Sequence, residues 1–337
     1  MNRQRIAVAA VLTAVTLPLA GYRVLTRRGG RRLLAAPRTL PGEEELRPQI
    51  DAMGGEVLRL RSRDGVRLSG RWLPAKPSKR RTSTSAWRPD PHEAIVLLHG
   101  WSGSVAPDIV EYAPFLRRTA GVLALDFRGH GESDQALTTW GMDEVEDVAG
   151  ALAWLGERGV ERVALFGTSM GGMTAIASVG VLGDGTLAAA DMELDAPAGV
   201  VPAPRPRIVA VIADSVPPEL AVGVGARLPG PFGRVVAERL FAAAARDLGR
   251  DPRETEPVRM VGLVEPVPLL LIHGEEDRTV PLDDGRRLAA AAGPGAEHWT
   301  VPGADHAASH LTMPQEYEAR VTQTLRSAFM RAREGDL

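Results

Sequence analysis

Arg162-Val163-Ala164-Leu165-Phe166 runs without a break into Gly167-Thr168-Ser169-Met170-Gly171-Gly172. The first five residues are rich in apolar and strand-favouring types, as expected of a strand buried on both faces. Small residues over 173–179 then read as a helix. Strand, sharp turn and helix with a serine at the tip is the order of a G-x-S-x-G elbow. A serine in so tight a turn holds a strained backbone, and neighbours lacking Cβ let strand and helix approach closely. Its hydroxyl is pushed clear of the sheet, and the first helical amides point at any negative charge developing beside it. The chain has 36 glycines, so an ordinary glycine-rich loop also fits these residues, and the rest of the sequence decides.

Outward from the elbow, strands and helices alternate. Apolar runs over 94–98, 121–125, 208–213 and 269–273, with a shorter one over 298–301, read as strands. Helices are expected over 109–116 (against the preference of Pro114), over 143–155, and behind Pro314, where Tyr317, Val321, Leu325 and Phe329 recur every four residues. Two strand patterns, 57–61 and 66–72, flank the hairpin signal Asp64-Gly65. The pattern predicts an α/β fold, a mostly parallel doubly wound sheet with helices on both faces, spanning 56–337. Three stretches interrupt it. Residues 74–91 carry four prolines and several charges and read as an exposed loop, and 183–206 read as a second excursion. Residues 217–263 are too long for a simple crossover and hold a helix pattern over 232–248. A small helical cap there would lie over the carboxyl ends of the strands, where open α/β sheets bind ligands.

At 337 residues the chain buries enough apolar surface to fold without staples. It has no cysteine, which excludes a thiol nucleophile, a cysteine-based zinc site and disulfides. A net charge of −2 offers nucleic acid no basic surface, so no such partner is expected. The cations are nearly all arginine, with lysine only at 76 and 79, which reads as a compositional bias. The first 33 residues differ in kind. Residues 6–22 are uncharged and mostly Ala, Val, Leu and Thr, with Arg3 and Arg5 before and Arg23, Arg27, Arg28, Arg31 and Arg32 after. This predicts a single-pass membrane anchor over 1–33, with the domain behind it on the cytoplasmic side and 34–55 as a connector. A cleaved export signal is the alternative, with Pro18 placed against its only tidy cleavage point, after Ala20.

A serine hydroxyl becomes a nucleophile when a neighbouring base takes its proton, and a third group must fix that base's tautomer. Behind an elbow of this kind the acid and then the histidine follow in chain order. Asp277, in His273-Gly274-Glu275-Glu276-Asp277-Arg278-Thr279-Val280-Pro281, and His306, in Pro302-Gly303-Ala304-Asp305-His306, each follow a predicted strand. Both should meet Ser169 at one sheet edge. Asp214, Glu275 and Glu276 are the alternative acids, and His310 the alternative base. Asp305 reads as shaping the histidine loop. His99, His130 and His273 stand in or before glycine turns and read as structural, while His92 and His298 read as unrelated. For a developing oxyanion the expected donors are the backbone amides of Met170, which opens the helix, and of Trp101 in His99-Gly100-Trp101-Ser102-Gly103. The Trp101 side chain is either a pocket wall or simple packing.

His99 to Trp101, Asp126-Phe127-Arg128-Gly129-His130-Gly131-Glu132-Ser133, the elbow, residues 273–281 and residues 303–306 together resemble the motif series of the α/β-hydrolase superfamily. The resemblance covers roughly residues 56–332 and is strongest to the capped serine-hydrolase branch that includes monoacylglycerol lipases and serine aminopeptidases. It implies hydrolysis of an acyl ester, thioester or amide of a small molecule, without metal or organic cofactor. It also implies that the stretch resembling Asp126 to Ser133 is a structural turn. Within it, an aminopeptidase or acyl-peptide hydrolase is the alternative, for which Glu219, Asp251, Glu254 and Glu256 could bind a substrate ammonium. A membrane-tethered scaffold without activity is the third reading, although no member of the triad is missing.

Overall fold

The computed structural model describes residues 24–35, 38–76, 87–101, 103–183 and 205–335. Its strands are β1 (Glu56–Arg61), β2 (Arg67–Leu73), β3 (Glu93–Leu98), β4 (Gly121–Leu125), β5 (Arg162–Thr168), β6 (Arg207–Asp214), β7 (Leu269–Gly274) and β8 (Glu297–Val301). They form one sheet in the order β1-β2-β4-β3-β5-β6-β7-β8. Only the β1–β2 and β2–β4 pairings are antiparallel. The remaining strands run parallel, so their carboxyl ends share one edge: Leu98 pairs with Gly167, and Thr168 with Asp214.

Among the described residues, α1 (Ala106–Leu116), α2 (Glu144–Gly156), α3 (Met170–Leu182), α5 (Leu282–Ala292) and α6 (Pro314–Glu334) pack on the strands, and α4 (Gly233–Leu248) packs on the short helix Leu220–Gly225. The period-two alternation of the strands sorts the core. Ala94, Val96 and Leu98 pack with α2 and α3, whereas Ile95 and Leu97 pack with α1 and α6. The small residues of α3 let it lie flat on the sheet. A Cβ on Gly172 would sit 2.5 Å from Val216 Cγ2. Helix α1 starts earlier than expected and keeps Pro114 in its last turn, where the proline removes one ladder bond and ends nothing. Helix α5 escaped the sequence reading because its buried face is little more than Gly285, Leu288 and Ala292 among charges. Between β6 and β7, α4 and the short helices Leu220–Gly225 and Pro257–Met260 occupy the stretch expected to be helical. Most of the excursion at 183–206, and residues 77–86 of the exposed loop, lie outside the described residues.

The expected single-pass membrane anchor, and the location drawn from it, are corrected here. No helix among the described residues is long and apolar enough to cross a membrane. The apolar run over 6–22 lies outside them. Two of the arginines expected at a lipid surface, Arg27 and Arg31, have a protein partner instead. Residues 24–33 are helical and lie against α4. There Arg27 and Arg31 donate to the two carboxylate oxygens of Asp247 at 2.7 and 2.9 Å. Gly29 and Gly30 make the approach close: a Cβ on Gly30 would stand 2.9 Å from the Leu240 carbonyl oxygen. Just beyond, Leu34 is buried, its carbonyl accepts the Thr138 amide, and the Leu33 carbonyl accepts the Trp140 indole.

Candidate active site

Ser169 stands between β5 and α3 with φ +50° and ψ −113°. A non-glycine residue held there stores about 1–3 kcal/mol of backbone strain. The flanking glycines are required by contact. A Cβ on Gly167 would lie 2.2 Å from the Gly171 carbonyl carbon, and one on Gly171 2.0 Å from the Leu98 carbonyl oxygen. The Ser169 amide donates to the Asp214 carbonyl at 2.8 Å, which ties the turn to β6.

The loops after β7 and β8 bring the other two expected residues to the same place. His306 Nδ1 donates to Asp277 Oδ2 at 2.8 Å, and its Nε2 is 3.1 Å from Ser169 Oγ. With Nδ1 protonated, Nε2 presents a lone pair to the hydroxyl. The Asp277 side chain is fully buried, whereas that of His306 is 14% exposed. Asp277 Oδ1 accepts the amides of Thr279 and Val280 at 2.8 and 2.7 Å, which aims Oδ2 at the imidazole. The neighbours of this pair stitch the two loops together. The amide and Nε of Arg278 donate to the Asp305 carboxylate, which also accepts the His306 amide at 2.8 Å. The Arg278 guanidinium accordingly holds the Asp305 carboxyl far below the usual range. Asp305 shapes the loop, as its position suggested.

The alternatives fall elsewhere. His310 sits 3.2 Å from Glu111 Oε1 among Tyr112, Phe115 and Tyr317. Glu275 and Glu276 are exposed. The Asp214 carboxylate meets hydroxyls and not the imidazole. His99 accepts the Phe127 amide at Nε2, and its Nδ1 donates to the Gly100 carbonyl. Burial pushes its pKa down to about 3, so it stays neutral. His273 donates to the Val280 carbonyl and packs so closely on Gly285 that a Cβ there would be 2.7 Å from the ring.

Gly100 places the backbone beside the nucleophile, where a Cβ would be 3.7 Å from Ser169 Cβ. The amides of Met170 and Trp101 follow directly on this contact. Among the described residues neither donates to a protein acceptor. The Trp101 ring stacks on Trp140 at 4.9 Å, and Trp140 meets Phe241 of α4 edge-on. Sequence reasoning missed this aromatic column. Its only signal was a tryptophan near α2, which no short motif contains.

The stretch from Asp126 to Ser133 is a hydrogen-bonded turn. Asp126 accepts the amides of Val105 and Glu132, and Ser133 Oγ donates to the Asp126 carbonyl. Arg128 forks onto Asp147 and Asp64, whose carboxylates keep it charged although it is buried. Among the described residues no group of three or more His, Asp or Glu side chains could hold a metal ion.

With this fold and edge defined, comparison with known proteins places the chain. A model of the alpha/beta hydrolase family matches residues 95–320, and the chain belongs to that family. Its class of chemistry is therefore hydrolysis. A curated relative, the uncharacterized protein YfhR of Salmonella typhimurium, is 26% identical over 257 residues, covering 74% of each chain. Its counterpart in Escherichia coli K12 is 23% identical over 259 residues, 76% of this chain and 75% of the other. Among solved structures, the Pyrococcus furiosus esterase Pf2001 superposes with a TM-score of 0.61 at 20% identity, covering 88% of this chain and 98% of its own. The esterase RhEst1 from a Rhodococcus species gives a TM-score of 0.50 at 20% identity, covering 81% and 99%. At that identity these two likenesses concern the fold.

Proposed function

We propose that the chain is a serine hydrolase that cleaves carboxylic esters or thioesters through an acyl-enzyme. The observation that carries the reading is the unbroken contact from Ser169 Oγ through His306 to the buried Asp277. Ser169 attacks the acyl carbon while His306 Nε2 takes its proton, and Asp277 fixes the tautomer and stabilises the imidazolium. The oxyanion is held by the amides of Met170 and Trp101, each such donor being worth about 3 kcal/mol in the transition state. His306 then protonates the leaving group, and water, deprotonated by the same nitrogen, releases the acyl group. In this reading residues 56–337 form the hydrolase domain, 34–55 lead into it, and 217–263 are a cap over the reactive edge. That Pf2001 and RhEst1, which share the fold, are esterases favours an ester substrate.

The peptidase alternative is less well supported, because three of the four candidate carboxylates have partners already, Glu254 being the exposed exception. Glu219 is paired with Arg234 and Arg287, Asp251 with Arg253, and Glu256 accepts the Leu220 amide. An exopeptidase would keep some of that charge for a substrate ammonium.

The test is labelling of the purified protein with a fluorophosphonate, followed by a panel of p-nitrophenyl esters of rising chain length. Labelling and turnover are expected in the parent and lost in Ser169→Ala with the fold intact. A folded parent that takes no label, or an alanine variant that hydrolyses esters undiminished, refutes the proposal.

A further inference from the structure

Asp214 ends β6 as a fully buried carboxylate that neither Ser169 nor His306 touches with a side chain. Its Oδ1 accepts Ser215 Oγ at 2.8 Å and Ser309 Oγ at 3.1 Å, and its Oδ2 accepts the Tyr317 hydroxyl at 3.0 Å. Among the described residues no arginine, lysine or backbone amide donates to it. A carboxylate satisfied only by neutral hydroxyls is an expensive thing to bury. Burial lifts its pKa to about 6 against the opposing pull of those hydroxyls and of His306.

What it holds explains why it is there. Ser215 has φ +57°, and its hydroxyl oxygen also accepts the Ala307 amide at 2.9 Å. Ala307, next to the histidine, has φ +53°. Two strained non-glycine residues thus face each other across one hydrogen bond, and strain of that kind persists only when its surroundings over-determine it. Ser309, fully buried and two residues further on, donates to the same carboxylate. The segment that directly follows His306 is therefore pinned at two points, Ala307 and Ser309, by way of a single carboxylate.

We infer that Asp214 is a positioning residue for the reaction. Through Ser215, Ser309 and Tyr317 it fixes the loop that presents His306 to Ser169, and its charge favours the imidazolium formed when the proton moves. The inference rests on the serine-hydrolase reading above. The titratable groups around Asp214 are Tyr112 of α1, Tyr317 of α6 and His306, and both tyrosines are held neutral by burial and by the Asp214 charge.

The rate of fluorophosphonate labelling at Ser169, measured from pH 5 to 9, tests this without knowledge of the substrate. In Ser215→Ala, which leaves the core carboxylate in place, labelling should slow by on the order of 10- to 100-fold, as for other small misplacements of a reacting group. In Asp214→Asn, which keeps the shape and can keep the hydrogen bonds, labelling should slow and the acid limb of the profile should move to lower pH. A negative charge that had favoured the protonated imidazole is then gone. A merely structural aspartate would leave the position of that limb unchanged. Should Asp214→Asn fail to fold, Ser215→Ala and Ser309→Ala decide alone. Labelling of the folded variants at the parent rate, with an unmoved profile, overturns the inference. A parent that takes no label would sink the serine-hydrolase reading instead, so the two failures are distinct.

Discussion

Ser169 was legible because the elbow's constraints are covalent and local. A serine held at positive φ, with no room for a Cβ on Gly167 against Gly171, is a matter of a few consecutive residues, and only the Gly171 contact with Leu98 reaches a second strand. Gly171→Ala should therefore cost about 1–3 kcal/mol by overpacking against the Leu98 carbonyl, measured as a fall in the urea midpoint. An unchanged midpoint would mean that β3 and α3 can separate at no cost. The Arg128–Asp147 pair shows the opposite kind of residue. Both side chains are at most 4% exposed, and the fork that joins them spans 19 positions. Removing one partner strands a buried charge, so Arg128→Ala should lose about 3–5 kcal/mol in chemical denaturation. A loss below 1 kcal/mol would show that water reaches Asp147.

Among the helices, the docking of residues 24–33 on α4 was not foreseen, because arginines after an apolar run carry the same signature whether they face lipid headgroups or a protein carboxylate. Two effects hold the contact, and their sizes differ. Arg27 and Arg31 are 64% and 68% exposed, and exposed pairs of this kind are worth at most about 1 kcal/mol each. The approach at Gly30 is steric, because backbone atoms of Leu240 and Ala244 stand where a Cβ would go. Gly30→Val should thus release the segment to limited proteolysis, whereas Arg27→Glu with Arg31→Glu should leave it largely protected in low salt. Equal sensitivity of the two variants would reverse that ranking. Helix α5 was invisible for a related reason. Its apolar face is made of alanines and one leucine, too faint a stripe to stand out from its charges.

For the molecule as a whole, the doubly wound sheet follows from runs of apolar residues that only a strand buried on both faces explains. How its two halves respond to pH is a property of contacts between distant helices. His310 lies between Glu111 of α1 and Glu318 of α6, at 3.2 and 3.6 Å. Burial lowers its pKa, but the two carboxylates outweigh that effect and raise it. The folded state then binds the proton more tightly than the unfolded chain. This contribution to stability is complete below the ordinary histidine value of about 6.5 and is lost as pH rises through the higher folded value. The difference in urea midpoint between pH 5.5 and pH 8.5 should shrink in His310→Gln. A difference that survives the substitution would assign it to another group.

Chain order alone placed Ser169, Asp277 and His306 at one edge, because parallel strands put every following loop on the same side of the sheet. That much is topology, and topology is written in hydrophobic periodicity. Distances are not. That Asp277 and not Asp214 meets the imidazole, that Asp305 and Arg278 stitch two loops together, and that the Arg27 and Arg31 guanidinium groups pair with Asp247 all depend on side chains from remote positions converging within about 3 Å. Such contacts arise when helices and loops dock. No local pattern encodes which remote side chains will arrive within bonding distance of one another.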